Sequence, residues 1–180
     1  YVALSDQDDR WRPEKLERLL AAIDAEAAEL AFSDMRVTTR SGRVVAETYW
    51  QFRPVNYTDF GSEVLANTIT GAASLFRARL LDDALPFPPR HGAAFHDHWI
   101  GQVAMALGSI AYVPEPLYDY VQHDEAALGF LEANGAGRFS GPPWQRAAIW
   151  YRRWSGRGYR LAWRVPYFRL YCRVRVATTA

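Results

Sequence analysis

The alternation of apolar and polar positions over the first 30 residues predicts a strand, a polar loop and a helix. Residues 1–4 form a short apolar run and residues 5–9 are polar, which is typical of a buried strand that ends in a loop. Pro13 suits the first turn of a helix. After it, apolar side chains recur at helical spacing, namely Leu16, Leu19, Leu20, Ile23, Ala27 and Leu30. The chain is therefore expected to begin as a strand, an acidic loop and a helix.

Between residues 31 and 87 the pattern predicts a hairpin followed by shorter elements. Residues 31–38 have the composition of a strand, and Ser41-Gly42 marks a tight turn into a return strand that begins at Val44. We then expect a short helix over 59–66, a strand or strand-like segment over 68–76, and a helix over 77–84 that Pro86 ends.

The next stretch completes a pattern of alternating strands and helices. Residues 97–107 predict a helix closed by Gly108, and residues 110–113 predict a strand. Because Pro114 and Pro116 have no amide hydrogen, strand pairing beyond residue 113 is expected only at a sheet edge or after a break. A last extended piece is predicted over 117–121. Such alternation predicts an α/β fold. In these folds ligands bind beyond the carboxyl ends of strands, which is where the acidic loop falls.

Composition favours a folded globular domain and excludes a disordered chain. The 180 residues are 49% hydrophobic, 23% charged and 14% aromatic, whereas disorder needs few aromatic residues and a high net charge. The only cysteine, Cys172, allows no internal disulfide, which fits a reducing cytosol. No stretch approaches the roughly 18 uninterrupted apolar residues of a transmembrane helix, so none is predicted.

Charge divides the chain into an acidic body and a basic tail. Residues 1–137 have a net charge of −9, whereas residues 138–180 have +10, with ten arginines, four tryptophans and no acid. Such a segment favours an anionic membrane surface, although the same composition suits nucleic acid or a packed helix with a solvated arginine face. We therefore predict a helical, basic and aromatic tail over 126–180, with a membrane-surface partner and no nucleic-acid partner.

Three carboxylates crowd the loop after the first strand. Asp6, Asp8 and Asp9 repel one another unless a cation or a donor group offsets their charge. Hard oxygen ligands suit Mg²⁺ or Mn²⁺, which also hold phosphate oxygens. The spacing is equally compatible with an acidic turn in solvent that caps the next helix.

Asp97 precedes a predicted amphipathic helix, where a carboxylate is usually an N-cap. Its neighbours His96, His98 and Trp99 shift the balance modestly towards a functional site, because four polar or aromatic groups then crowd one helix start. The helix dipole there keeps a carboxylate ionised, as a general base must be. His123 is either structural or a nitrogen ligand to a cation at the acidic loop. Zinc at His96 and His98 is disfavoured, since no cysteine pair or third well-spaced ligand accompanies them.

Four sequence blocks, in order and in spacing, resemble the bacterial family 2 glycosyltransferases. They are SDQDDRW at 5–11 with Lys15-Leu16, NTITG at 67–71 with Leu75-Phe76 and Leu80-Leu81, ALPF at 84–87 with HDHW at 96–99, and PEPLYDYVQH at 114–123. The resemblance covers residues 1–125 and is greatest to the rhamnosyltransferase-like group. His98 stands where the family usually has tryptophan, and Val121 where it usually has arginine.

The resemblance implies a GT-A fold, which is Rossmann-like α/β, and inverting transfer of a sugar, with rhamnose as a candidate. The donor would be a nucleotide-diphosphate sugar, and the acceptor a saccharide or a lipid-linked saccharide in cell-surface polysaccharide synthesis. Asp8 of the DxD motif would contact Mg²⁺ or Mn²⁺ together with His123, while Asp6 and Asp9 would lie beside the donor. Asp97 would be the catalytic base. The acceptor side would comprise Thr70, Gly71, His96 and Trp99.

The resemblance also sets the expected domain boundaries. Family members begin with βα units that bind the nucleotide base and ribose, and no such units precede Tyr1. We therefore expect residues 1–125 to be the C-terminal half of a truncated GT-A domain, with an unpaired edge at its first strand. Residues 1–180 alone are then expected to be inactive. The complete enzyme is expected in the cytoplasm, peripheral on the inner face of the cell membrane.

Two other functions remain open at this point. The chain is alternatively an inactive truncated remnant that serves only as a binding or membrane-surface module. A phosphotransferase or metal hydrolase built on the acidic loop is disfavoured, because the sequence has no P-loop and no second carboxylate cluster. The glycosyltransferase hypothesis further predicts that Asp6, Asp8, Asp97 and His123 line one cleft.

Overall fold

A single mixed β-sheet with helices on both faces forms the described part of the chain. The computed structural model describes residues 1–50, 55, 57–65, 67–87 and 96–122. Its strands are β1 (Val2–Ala3), β2 (Arg10–Trp11), β3 (Leu30–Thr39), β4 (Val44–Ala46), β5 (Ser74–Phe76) and β6 (Ile110–Gln122). Its helices are α1 (Lys15–Ala25), α2 (Phe60–Leu65), α3 (Leu80–Ala84) and α4 (His96–Leu107), and a 3-10 turn covers Gly71–Ala73.

The direction of the strands determines where the acidic loop lies. The sheet order is β1-β5-β3-β6-β2, and β4 pairs with β3. β3 and β6 are parallel, while β5 is antiparallel to both β1 and β3. β1, β3 and β6 therefore run in the same direction, and their carboxyl ends face the same way. The loop after β1 consequently lies at the edge where ligands bind in α/β proteins.

Alternate side chains of the central strands enter two separate hydrophobic clusters. Leu30 and Phe32 of β3 pack in one cluster with Ile100 of α4, whereas Ala31 packs in the other with Leu19 of α1. Because successive side chains of a strand point to opposite faces, the two clusters lie on opposite faces of the sheet. Helices therefore cover both faces, which confirms the predicted α/β class.

The face that α1 buries differs from the apolar stripe in its sequence. Lys15, Leu19 and Ile23 are buried, whereas Leu16 is 44% and Leu20 is 37% exposed. The spacing 15, 19, 23 is itself one face of a helix, and it begins with a charged residue. Ala27 and Leu30, which continue the apolar spacing, lie beyond the end of α1, with Leu30 already in β3.

The last strand is continuous where the sequence predicted a break. β6 pairs with β3 from Leu30↔Ile110 to Thr39↔Gln122, and the register shifts between Ser33↔Val113 and Asp34↔Pro116. The two prolines are thus accommodated by a bulge, which lets pairing resume beyond them. The segments predicted at 110–113 and 117–121 are parts of this one strand.

The segment predicted as strand-like over 68–76 is only partly extended. A 3-10 turn occupies Gly71–Ala73, and β5 is confined to Ser74–Phe76. The following helix begins at Leu80 instead of residue 77, because residues 77–79 form turns. The hairpin of β3 and β4 is confirmed, and its turn contains Gly42 with a φ of +86°, a conformation that favours glycine.

Some predictions fall outside the described residues, namely His123 and the helical tail at 126–180. Within the described ranges, β1 pairs only with β5, as expected for a strand at the edge of this sheet. No helix in those ranges is long and apolar enough to cross a membrane. The more specific GT-A assignment remains a prediction.

Candidate functional site

The acidic loop is fastened to the end of β6. Asp6 is exposed, whereas Asp8 and Asp9 are half-buried. The Asp9 Oδ1 atom accepts a hydrogen bond from the amide of Val121 at 3.3 Å. This contact spans 112 residues of sequence and holds the loop after β1 against the carboxyl end of a parallel strand.

Asp9 combines a raised pKa with a buried oxygen atom. Burial raises the pKa of Asp9 to about 6, and the charges of Asp6 and Asp8 raise it further, against the lowering effects of the Val121 amide and Lys15. Its Oδ2 atom is buried and has no hydrogen-bond partner among the described residues. A buried carboxylate oxygen beside two like charges is a group that a cation or a donor would stabilise.

Lys15 is buried near this loop; it belongs to the first sequence block, but neither its burial nor a role for it was predicted from the sequence. Its side chain is 0% exposed, and its ammonium donates a hydrogen bond to the carbonyl of Ala72. The ammonium also lies 3.6 Å from the centre of the Trp11 ring and 4.7 Å from that of Tyr118, within the range of a cation–π interaction. Burial lowers the pKa of Lys15 to about 8, although Asp9 and Asp6 oppose this effect.

Two sequence signals were available for Lys15. It is the only lysine among the 21 basic residues of the chain. It also shares the helical spacing 15, 19, 23 with two apolar residues, so a helical-face analysis that admits charged residues would have made it a candidate for burial.

Asp97 lies in the first turn of α4 and is bound from two segments. Its Oδ1 accepts from the Asn67 side chain at 3.4 Å and from the His98 amide at 2.7 Å. Its Oδ2 accepts from the amide of Gly71 at 3.3 Å. An N-cap carboxylate normally accepts only from amides of its own helix. Asp97 is the second residue of α4 and not its N-cap, and the bonds from residues 67 and 71 join α4 to the turn before β5.

Gly71 lies between the end of β1 and the start of α4. A Cβ atom at this position would be 3.1 Å from His96 Nε2, 3.4 Å from Leu4 Cδ1 and 3.5 Å from Asp97 Cβ. The first of these distances is closer than ordinary van der Waals contact, so a Cβ atom at this position would require the His96 side chain to shift by a few tenths of an ångström. Leu4 leads directly into the acidic loop. The structure thus brings Gly71, His96 and Asp97 together beside the root of that loop, with Thr70 adjacent in sequence.

Glu63 and His98 hold the segment that carries Asn67 and Gly71. The buried Glu63 carboxylate accepts from the Thr68 amide at 2.9 and 3.1 Å and from the Thr68 hydroxyl at 2.8 Å. The His98 ring is buried and contacts the Glu63 carbonyl at 2.7 Å. Sequence reasoning missed Glu63, because no local pattern distinguishes it from a solvated acid on a short helix.

Trp99, a predicted acceptor residue, makes its contacts outside this arrangement. Its indole N–H donates to the carbonyl of Ala84 at 2.9 Å, and its ring packs against the core. The contact joins α4 to the end of α3. An acceptor role for Trp99 stays a prediction, and the structure shows it as a link between two helices.

Only part of the predicted metal site lies within the described residues. Asp8 lies in the acidic loop, but its proposed co-ligand His123 lies outside the described ranges. Within those ranges no group of three His, Cys, Asp or Glu side chains is arranged to hold a metal ion. The feature that fits a cation is the buried Oδ2 of Asp9, which is adjacent to Asp8 and has no partner there.

A cavity of about 320 Å³ lies elsewhere and contains none of the predicted site residues. It is lined by Glu29, Arg79, Asp82, Asp83 and Leu107. Glu29 immediately precedes β3, so this cavity lies at the amino end of the parallel strands and not at the edge with the acidic loop. Two of its lining residues, Arg79 and Glu29, form an ion pair.

No protein-family model matches this chain, and a comparison with curated proteins finds no match. The likeness to family 2 glycosyltransferases therefore rests on the four sequence blocks.

Proposed function

We propose that this chain carries the catalytic residues of an inverting glycosyltransferase that uses a nucleotide-diphosphate sugar. The observation that supports it best is the position of Gly71. This glycine binds Asp97 through its amide and lies against Leu4, which leads into the acidic loop. These contacts support a donor side and a base at the same edge of the sheet, the carboxyl edge of the parallel strands. The acceptor is a saccharide or a lipid-linked saccharide.

In this proposal the acidic loop faces the diphosphate of the donor. Asp8, with His123, would hold Mg²⁺ or Mn²⁺, and a bound cation would neutralise the charge of the departing diphosphate. Asp9 is held by the Val121 amide, so its position is set by the sheet and not by the loop alone. Asp6 is exposed, which leaves it accessible to a donor.

Asp97 acts as the general base. Its carboxylate takes the proton of the acceptor hydroxyl while the hydroxyl oxygen bonds to the anomeric carbon. At the same time the bond from that carbon to the diphosphate oxygen breaks, and the diphosphate leaves with the electron pair. One displacement inverts the anomeric centre. The amide of Gly71 and the side chain of Asn67 hold the carboxylate in a fixed direction, which favours an aligned proton transfer.

The test is a donor screen with the longest form of the chain that its gene encodes. Donor hydrolysis and sugar transfer are measured for a panel of nucleotide sugars, with Mg²⁺, with Mn²⁺ and with a chelator. Asp97→Asn should reduce transfer by about 10²–10⁴-fold and spare donor binding, because a base acts on the acceptor. Asp82→Asn, an exposed carboxylate on α3, is the matched control and should be fully active. Near-normal turnover by Asp97→Asn would exclude the assigned role.

We further propose that residues 138–180 attach the protein to an anionic membrane surface, on the cytoplasmic face. Ten arginines and four tryptophans without an acid support it, since each arginine near such a surface contributes about 1 kcal/mol. The competing possibility is that the arginines pair with the acidic body of the same chain. In liposome co-sedimentation, binding should require anionic lipid and should decrease as salt increases. Absence of binding at low salt would remove the membrane assignment.

A further inference from the structure

Lys15 is a buried cation that the proposed reaction does not use. Its side chain is fully buried on the face of α1 that also carries Leu19 and Ile23. Its ammonium donates to the Ala72 carbonyl and stacks on Trp11. All other basic residues of the chain are arginines. A lysine ammonium is a compact point charge on a flexible stem, whereas the guanidinium of arginine is a rigid planar fork, so the two are not interchangeable at this position.

The contacts of Lys15 join the two sides of the candidate site. On one side is the acidic loop, because the ammonium lies over the ring of Trp11, two residues after Asp9, and the charges of Asp9 and Asp6 act on it as well. On the other side is Ala72, which directly follows the glycine whose amide binds Asp97. The hydrogen bond to Ala72 spans 57 residues of sequence, and it fastens the 3-10 turn to the start of α1.

Packing alone does not account for a charge at this position. Burial of an ammonium is unfavourable, and replacing buried charges by apolar side chains of similar volume is often neutral or stabilising. The positive charge is useful here because the acidic loop has three carboxylates within four residues. The ammonium of Lys15 attracts the acidic loop and donates a hydrogen bond to the 3-10 turn.

We propose that Lys15 is a positioning residue that holds the acidic loop and the Asp97-binding turn at a fixed spacing. The inference rests on the proposed function, because the donor and the base are the two groups whose spacing matters. Lys15 itself touches neither substrate in this proposal, since its side chain is fully buried.

The first measurement is the ratio of sugar transfer to donor hydrolysis by the longest form of the chain. This ratio does not depend on how much of the protein is folded. The hydroxyl of a bound acceptor is held in place and loses its alignment with a displaced base, whereas water is free to move with the base. Loss of the spacing therefore slows sugar transfer more than donor hydrolysis and lowers the ratio. We expect Lys15→Met to lower it by about 10²-fold, which is typical of a misplacement of about 1 Å. Lys15→Arg keeps the charge and should lower it less.

Leu19→Ala is the matched control, because Leu19 is also fully buried and lies one turn further along the same face of α1. It destabilises the protein without touching either segment and should leave the ratio unchanged. An unchanged ratio in Lys15→Met, or an equal decrease in Leu19→Ala, overturns the positioning role. If Lys15→Met does not fold, Lys15→Arg takes its place, with an expected decrease of several-fold, and an unchanged ratio there overturns the role in the same way.

The second measurement does not require activity. Amide hydrogen exchange of peptides that cover residues 70–73 reports the opening of the turn, and peptides from α4 report the rest of the fold. Lys15→Met should lose protection at 70–73 selectively, whereas Leu19→Ala should lose it evenly. If no sugar transfer is found for any protein, the proposed function fails, and exchange alone then decides whether Lys15 fastens the turn. Wild-type protection at 70–73 in Lys15→Met overturns the inference in either case.

Discussion

Raising the pH from 7 to 10 should stabilise this protein through the single side chain of Lys15. Burial lowers the pKa of Lys15 from its ordinary value of 10.5 to about 8 in the folded protein. Between these two values the folded protein has released the proton and the unfolded chain still holds it. The unfolded state therefore binds more protons in this window, so the free energy of unfolding increases with pH.

The expected size of this increase follows from the two pKa values. Their difference corresponds to about 3 kcal/mol of unfolding free energy, of which roughly 2.5 kcal/mol falls between pH 7 and 10. Burial raises the pKa values of Tyr112 and Tyr118. These tyrosines act in the opposite direction, and because unfolded tyrosines are half-ionised at about pH 10, the two together remove roughly 0.8 kcal/mol of the gain at that pH. Comparing the wild type with a variant that lacks Lys15 cancels the tyrosine contribution, which both proteins share, and isolates the lysine.

Urea unfolding of the wild type and of Lys15→Met at several pH values measures the effect. Methionine keeps the length and apolar contacts of the stem and removes the charge. At pH 7 we expect Lys15→Met to fold. Removing the buried charge saves about 3 kcal/mol, which offsets the roughly 1–3 kcal/mol cost of leaving the Ala72 carbonyl without this donor. The wild-type unfolding free energy should then increase towards pH 10, at constant m-value, and that of Lys15→Met should not.

Nuclear magnetic resonance provides a direct check. Because Lys15 is the only lysine in the 180 residues, selective ¹⁵N-lysine labelling of this chain gives one side-chain signal. That signal should titrate near pH 8. Parallel stability curves for the two proteins, or a titration at the ordinary value of 10.5, would refute the reasoning from burial.

The remaining predictions concern stability measured by the same unfolding assay. Burial raises the pKa of Asp9 to about 6, so wild-type stability should decrease as the pH rises from 4 to 6, and Asp9→Asn should remove about 2 kcal/mol of that decrease. Gly71→Ala should destabilise the protein by about 1–3 kcal/mol because of its close contacts, while Gly61→Ala, whose Cβ meets nothing nearer than 3.6 Å, should not. Gly101→Ala should be at least as harmful, since its Cβ would lie 2.5 Å from the Ile69 side chain. Glu63→Gln should cost about 1.5–3 kcal/mol, the value of hydrogen bonds to a charged group, and equal stability of wild type and variant would show that the buried carboxylate does not hold the turn.

The order of strands and helices was accessible from the sequence because it depends on local patterns. The apolar run at the start, the hairpin turn with Gly42 and the helix that begins near Asp97 all agree with the structure. The position of the acidic loop at a carboxyl edge also followed, since a loop after a parallel strand has no other place to lie. Each of these features needs only neighbouring residues and the regular geometry of helices and strands.

Contacts between distant segments required the tertiary structure. The bulge that keeps β6 continuous depends on its parallel partner β3, which no pattern around the two prolines encodes. Two partners of Asp97 lie 26 and 30 residues away in sequence, and the His98 ring that contacts the Glu63 carbonyl lies 35 residues from it.

Lys15 shows the physical reason for this division most clearly. Polarity predicts that a lysine at the start of an amphipathic helix is exposed, and for most helices that expectation holds because an unpaired buried charge is very unfavourable. Here the Ala72 carbonyl, two aromatic rings and the acidic loop surround the ammonium and make its burial tolerable. The sequence by itself determined that a helix begins at this point and which residues share its faces. Only the packing of segments far apart in the chain decided that the face with the charge lies inside.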